Sequence, residues 1–164
     1  MKFEKDKLRY DRIILDFDAL VLYQKMEEEG QLPVVFFGAH IDVKHAIEYF
    51  VRHSNAYLVY YKDKLVCAYW LENIAGKTAD IHFTAFKDSH LHCIDIGKDI
   101  LSHACKSHGL RLLKGCTPTE YVSSCKLYSR IGLQTIFKGS KLLYNGVSGQ
   151  YMDATYTIYE HNGE

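Results

Sequence analysis

The hydrophobic period of this chain switches twice, and that switch restricts the fold more than any other feature. Its middle is strand-like. Ala56–Tyr61, Leu65–Leu71 and Thr78–Phe86 are β-branched and aromatic runs, separated by Lys62-Asp63-Lys64 and by Asn73–Lys77 with Gly76. The third run alternates, with Ile81, Phe83 and Ala85 on one side and Asp80, His82 and Thr84 on the other. Three antiparallel strands are therefore predicted at the centre.

Helical spacing flanks this block on both sides. A short strand, Arg12–Leu15, precedes a helix from Phe17 to Glu29 with Phe17, Leu20, Val21 and Tyr23 as its apolar positions and Gly30 as its stop. Asp42 is placed to cap a second helix, in which Val43, Ala46, Ile47, Phe50 and Val51 recur at helical spacing. After the strands, Ile96, Ile100, Leu101, Ala104, Cys105 and His108 trace one face of a helix from Asp95 to His108, closed by Gly109. Leu110–Cys116 is a strand. Thr117, Pro118 and Glu120 then read as N-cap, first-turn proline and capping-box acid of a helix carrying Val122, Cys125, Tyr128 or Ser129, and Ile131, ended by Gly132. Leu133–Phe137 and Met152–Tyr159 are the last strands, with a glycine-bearing loop between them. The order β-α-α-β-β-β-α-β-α-β-β predicts one α/β (α+β) domain over residues 1–164, three-layered on a mixed sheet.

Charge narrows the function classes. Twenty basic residues balance 20 acidic ones, which excludes binding of nucleic acid by bulk positive charge. The balance is regional. Residues 1–97 carry 12 basic and 15 acidic groups, residues 98–141 carry 8 and 2, and residues 142–164 carry 3 acidic groups and no basic one. A localised anion site in the basic stretch is compatible with that pattern. Five cysteines, none in CxxC spacing, read as reduced thiols. The charged start MKFEKDKLRYDR has no apolar core of a leader, and no run approaches the ~18 apolar residues of a membrane span. A cytoplasmic protein with no membrane partner is expected. His90, His92, Cys93 and Asp95 lie close together, but in no known zinc spacing, so no metal is expected.

The segment Tyr121-Val122-Ser123-Ser124-Cys125-Lys126-Leu127-Tyr128-Ser129-Arg130-Ile131-Gly132-Leu133 resembles the N-x-x-A-x-x-L-Y-x-K-x-G-F segment of the GNAT superfamily of acyl-CoA N-acyltransferases. Leu127-Tyr128, Arg130 and Gly132-Leu133 match, whereas Tyr121 and Ser124 replace the family's Asn and Ala. His92-Cys93-Ile94-Asp95-Ile96-Gly97 stands at the place of the family's Q/R-x-x-G-x-G/A pyrophosphate loop and keeps only its last glycine, Gly97. With the element order, the resemblance covers residues 10–160.

The resemblance implies acetyl-CoA as acyl donor and a small-molecule or peptide amine as acceptor. It implies cofactor contacts from Thr84, Ala85 and Phe86, from His92, Ile96, Gly97 and Lys98, and from Tyr128. Tyr128 would protonate the leaving thiolate, a task within reach of a phenol with pKa near ~10. An ammonium acceptor also needs a base, and the polar side of the third central strand offers Asp80 and His82.

A glycine-rich loop works because bare backbone N–H groups approach a diphosphate at a helix N-terminus. Asp95 adds a Cβ and a negative charge there. At ~5 Å and an effective dielectric of ~20, one such charge pair costs about 3 kcal/mol before screening. Asp95 is also among the best residues to cap the helix that follows. Two functions therefore stand: an N-acetyltransferase, and a non-catalytic GNAT-like binding or assembly module, similar to degenerate domains in some phage-encoded proteins.

Overall fold

The computed structural model describes residues 3–162. Its strands are β1 (Leu8–Arg12), β2 (Asn55–Tyr61), β3 (Lys64–Ala75), β4 (Thr78–Ala85), β5 (Leu112–Pro118), β6 (Gln134–Asn145) and β7 (Gln150–Glu160). Its α-helices are α1 (Asp16–Glu28), α2 (Leu32–Val35), α3 (Val43–Glu48), α4 (Cys93–His108) and α5 (Val122–Ile131). The strands form one mixed sheet in the order β1-β2-β3-β4-β5-β7-β6. The β4/β5 pair is parallel, and the β1/β2, β2/β3, β5/β7 and β7/β6 pairs are antiparallel. The α/β architecture on a mixed sheet is the one that the period switches predict. Two compact units contribute: residues 3–72 with 82–93, and residues 73–81 with 94–162.

In the first unit, the even positions of β2 and β3 face the helices as far as the register shift at Val59/Tyr60, beyond which Leu65 takes that face on β3. Ala56, Leu58, Ala68 and Trp70 bury against Ala19, Leu22 and Met26 of α1, Ala46 of α3, and Phe50. The odd positions stack on the opposite face, where Tyr57 lies flat on its cross-strand partner Tyr69 with centroids 4.9 Å apart. Lys62 and Asp63 join β2 to β3 with both φ positive, the backbone of a type I′ turn built without glycine. Asp42 caps α3 as its position predicts, its carboxylate accepting the His45 N–H at 2.9 Å.

Two expectations in this unit are corrected. The first strand is Leu8–Arg12, not Arg12–Leu15. It lies at the sheet edge, where charged side chains guard against further pairing, and only Ile13 of the apolar run that follows is buried. In α1 the buried stripe is Ala19, Leu22 and Met26, while Phe17 is exposed. The short helix α2, opened by Pro33, was not legible from spacing.

In the second unit, α4 buries Ile96, Gly97, Ile100, Leu101, Ala104 and Cys105. It begins at Cys93, so Asp95 lies inside the first turn and is not the N-cap. The helix expected from Thr117 begins at Val122, because Thr117 and Pro118 belong to β5. Proline is tolerated there for a specific reason. Thr119 N–H donates to Asp153 O at 2.9 Å, so the Pro118/Ala154 pair is a non-hydrogen-bonded one and the proline nitrogen points away from β7. The pairing of β5 with β4 has ended by then, at Lys114.

Gly132 ends α5 in the left-handed region at φ +111°. The loop expected around Gly139–Gln150 is mostly strand. β6 runs to Asn145 and absorbs the irregularity in two register shifts, at Thr135/Phe137 and Gly139/Leu143.

Candidate functional site

The most chemically suggestive constellation lies in the first unit and centres on His82. If Ala75 and Thr78 simply flanked a two-residue turn, counting back along the hairpin would set Leu71 opposite His82. Instead the His82 ring stacks on Trp70, with centroids 5.5 Å apart and planes 11° off parallel. Asn73, within β3, has φ +48°. One extra residue in the left-handed region is how a bulge slips a register, and Asn is among the few side chains that accept that conformation.

Trp70 and Glu72 share one face of β3 by the period of two. The Glu72 carboxylate therefore reaches the same imidazole, with His82 Nε2 3.0 Å from Glu72 Oε2. The two side chains are 27% and 26% exposed, partly screened yet open to solvent. Tyr49 stands close enough to Glu72 to feel its charge. Burial, then the Glu72 charge, pushes the Tyr49 phenol far above its ordinary range, so it stays a neutral donor. Sequence reasoning found His82 and missed Glu72, Trp70 and Tyr49. The one available signal was polar: Glu72 directly follows the apolar strand run.

The other residues named for this unit are placed differently. Thr84 and Phe86 are buried and Ala85 is half-buried. Of the backbone donors that follow, Phe86 N–H bonds Val66 O at 2.9 Å and Lys87 N–H bonds Glu29 Oε2 at 2.9 Å, so both are already engaged. His92 is half-buried among aromatic rings, 5.6 Å from Phe3 and 5.4 Å from Tyr61 by centroids.

In the second unit, Asp80 is engaged by two neighbours. Its carboxylate pairs with Lys114 Nζ at 2.9 Å and accepts from Asn73 Nδ2 at 2.7 Å. Lys114 is its register partner on β5. That arrangement is a structural ion pair. Gly97 and Ile96 are buried and Lys98 is exposed. As the fifth residue of α4, Gly97 has its N–H inside the helical hydrogen-bond ladder. A Cβ at Gly97 would lie 2.8 Å from Ile131 Cγ2, so the glycine lets α4 approach α5 closely. Tyr128 sits half-buried on α5, and its carbonyl accepts the Leu133 N–H at 3.0 Å, closing the helix end. A polar cleft of about 530 Å³ in this unit is lined by Glu120, Gln150, Tyr151 and Asp153, among others.

No protein-family model and no curated protein matches the sequence. Solved structures do match along nearly the whole chain. The ribosomal-protein-S5-alanine acetyltransferase of Vibrio fischeri superposes with TM-score 0.76 at 12% identity, covering 99% of this chain and 97% of its own. A GNAT-family acetyltransferase of Bacillus anthracis gives 0.74 at 12% identity, with 98% of each chain covered. The spermidine N-acetyltransferase of Vibrio cholerae, solved in complex with CoA and spermine, gives 0.75 at 10% identity, covering 95% of this chain and 96% of its own. The fold is that of the GNAT acetyltransferases.

Proposed function

We propose that this chain transfers an acetyl group from acetyl-CoA to an amine. The observation that carries the reading is the partly exposed His82–Glu72 pair on a GNAT fold. A histidine is suited to exchange protons near neutrality, and a carboxylate partner stabilises the imidazolium it becomes. In the proposed reaction His82 takes a proton from the acceptor ammonium. The freed nitrogen attacks the thioester carbonyl carbon, the carbon–sulfur bond breaks, and the departing thiolate takes a proton from the Tyr128 phenol. The proton lost from nitrogen as the amide forms restores the phenol. Asp80, already neutralised by Lys114, is assigned no step.

An amine acceptor is also the chemistry of one named neighbour, the spermidine N-acetyltransferase. On the donor side, Thr84 and Ala85 lie on β4 beyond Asp80, where its register with β5 ends, and are the proposed contacts. His92, Lys98 and the first turn of α4 are the proposed diphosphate contacts.

One observation favours the non-catalytic module. Asp95 places an exposed carboxylate in the first turn of α4, against a diphosphate. Calorimetric titration with acetyl-CoA decides between the two readings. A micromolar dissociation constant, with thiol release on adding an amine panel, is expected for the enzyme; no heat at millimolar acetyl-CoA establishes the module.

A further inference from the structure

We propose that Glu72 and Tyr49 are positioning residues that fix the His82 imidazole as its Nε2–H tautomer and leave Nδ1 as the proton acceptor. The role given to that acceptor rests on the acetyl-transfer reading above; the tautomer itself does not.

The geometry carries the assignment. An ionised carboxylate only accepts hydrogen bonds, so the imidazole nitrogen 3.0 Å from Glu72 Oε2 must hold a proton. In the neutral ring that leaves the lone pair on Nδ1. The stack on Trp70 confines the ring plane, and turning the imidazole over would give up the bond to Glu72. Trp70 is itself immobilised, buried to 3% exposure with Phe50 packed edge-on at 5.3 Å.

Tyr49 adds to the arrangement. Its ring packs on Phe36 at 5.9 Å and Phe50 at 5.0 Å, and the Glu72 charge beside its phenol helps to keep that phenol protonated, as a donor for the carboxylate. Tyr49 opens a single π-helical turn, Tyr49–His53, directly after α3. Such turns are rare and recur at functional sites, because the extra residue re-aims a side chain. Glu72 thus faces two protonated groups, the imidazole nitrogen at 3.0 Å and the neutral Tyr49 phenol. When Nδ1 takes a proton, the positive charge spreads over a ring already bonded to an anion.

Long-range proton–nitrogen NMR of the full chain with labelled histidine, near pH 8, reads the tautomer directly. The wild type is expected to show His82 as a single Nε2–H form. Glu72→Ala should give a mixture of both tautomers, and Tyr49→Phe a smaller admixture. A wild-type His82 protonated at Nδ1, or an unaltered tautomer in Glu72→Ala, overturns the proposal. If Glu72→Ala fails to fold, the wild-type and Tyr49→Phe spectra still decide it. In amine acetylation, Glu72→Ala should lower kcat about tenfold or more while KM for acetyl-CoA holds; an unchanged kcat also counts against the positioning role. A wild type that acetylates no amine overturns the transfer reading, and the tautomer spectra then test the positioning by themselves.

Discussion

Asp80 and His82 lie two residues apart on one strand, yet the two units treat them in opposite ways. In the second unit, Asp80 is consumed by Lys114 and Asn73. The same unit sets Asp95 in a helix first turn and Gly97 under Ile131. Asp80 and Gly97 each have a structural partner there. In the first unit, His82 meets an acid that aligns it, and both stay about a quarter exposed. The contrast teaches that a residue's candidacy for catalysis depends on what has already been offered to it. The Asp80 carboxylate is already bonded to an ammonium and an amide, whereas the His82 imidazole meets one carboxylate and stays partly open to solvent.

The contrast can be broken by measurement. The largest effect is expected at His82: His82→Gln should lower amine acetylation about 100-fold, or about 2.7 kcal/mol in the barrier, with little change in urea midpoint. Asp80→Asn should instead leave kcat within about threefold. A reversal of that ranking would return the base role to Asp80. Next comes Gly97→Ala, where a methyl 2.8 Å from Ile131 must push the helices apart. It should cost about 1–3 kcal/mol in urea unfolding, and Ile131→Val should recover part of the loss. An unaffected midpoint would mean that Gly97 is not a packing glycine.

Asp95→Gly should tighten acetyl-CoA binding severalfold by calorimetry if the diphosphate docks at α4, after allowing for the lost favourable charge in the first turn. Unchanged or weaker binding would remove Asp95 from that neighbourhood.

The smallest effect concerns acid stability in the first unit. Burial raises the Glu29 carboxyl, but the Lys25 and Lys87 hydrogen bonds outweigh it and hold the group below its ordinary value. A depressed acid stabilises the fold above its unfolded pKa and loses that contribution as pH falls through the folded one. The wild type should therefore lose about 0.5–1 kcal/mol more than Glu29→Gln between pH 6 and pH 3 in urea titrations. Parallel curves for the two proteins would show that Glu29 contributes no such term.

Much of the frame was legible before any coordinates. Asp42 and Gly132 marked their helix ends because capping and left-handed closure depend on local chemistry alone. The central runs marked their strands because burial there follows a strict period. His82 was legible as a candidate because the alternation of β4 is clean around it. Its partner was not, because the register that brings Trp70 and Glu72 to His82 depends on a left-handed Asn73, and no spacing rule announces that conformation. The Thr117–Glu120 pattern misled for a related reason: it satisfies a capping box, but the pull of β7 on Thr117 and Pro118 is non-local. Gly139 and Gly149 suggested a loop where register shifts allowed a long hairpin to continue.

The close approach at Gly97 also has a mechanical meaning. Atoms packed at the limit of contact do not compress, so a displacement on one side is passed to the other. Gly97 lies one turn from the beginning of α4, and Ile131 lies one turn beyond Tyr128 on α5. A displacement of α4 at Gly97 therefore bears directly on Ile131, which belongs to the helix that carries the phenol.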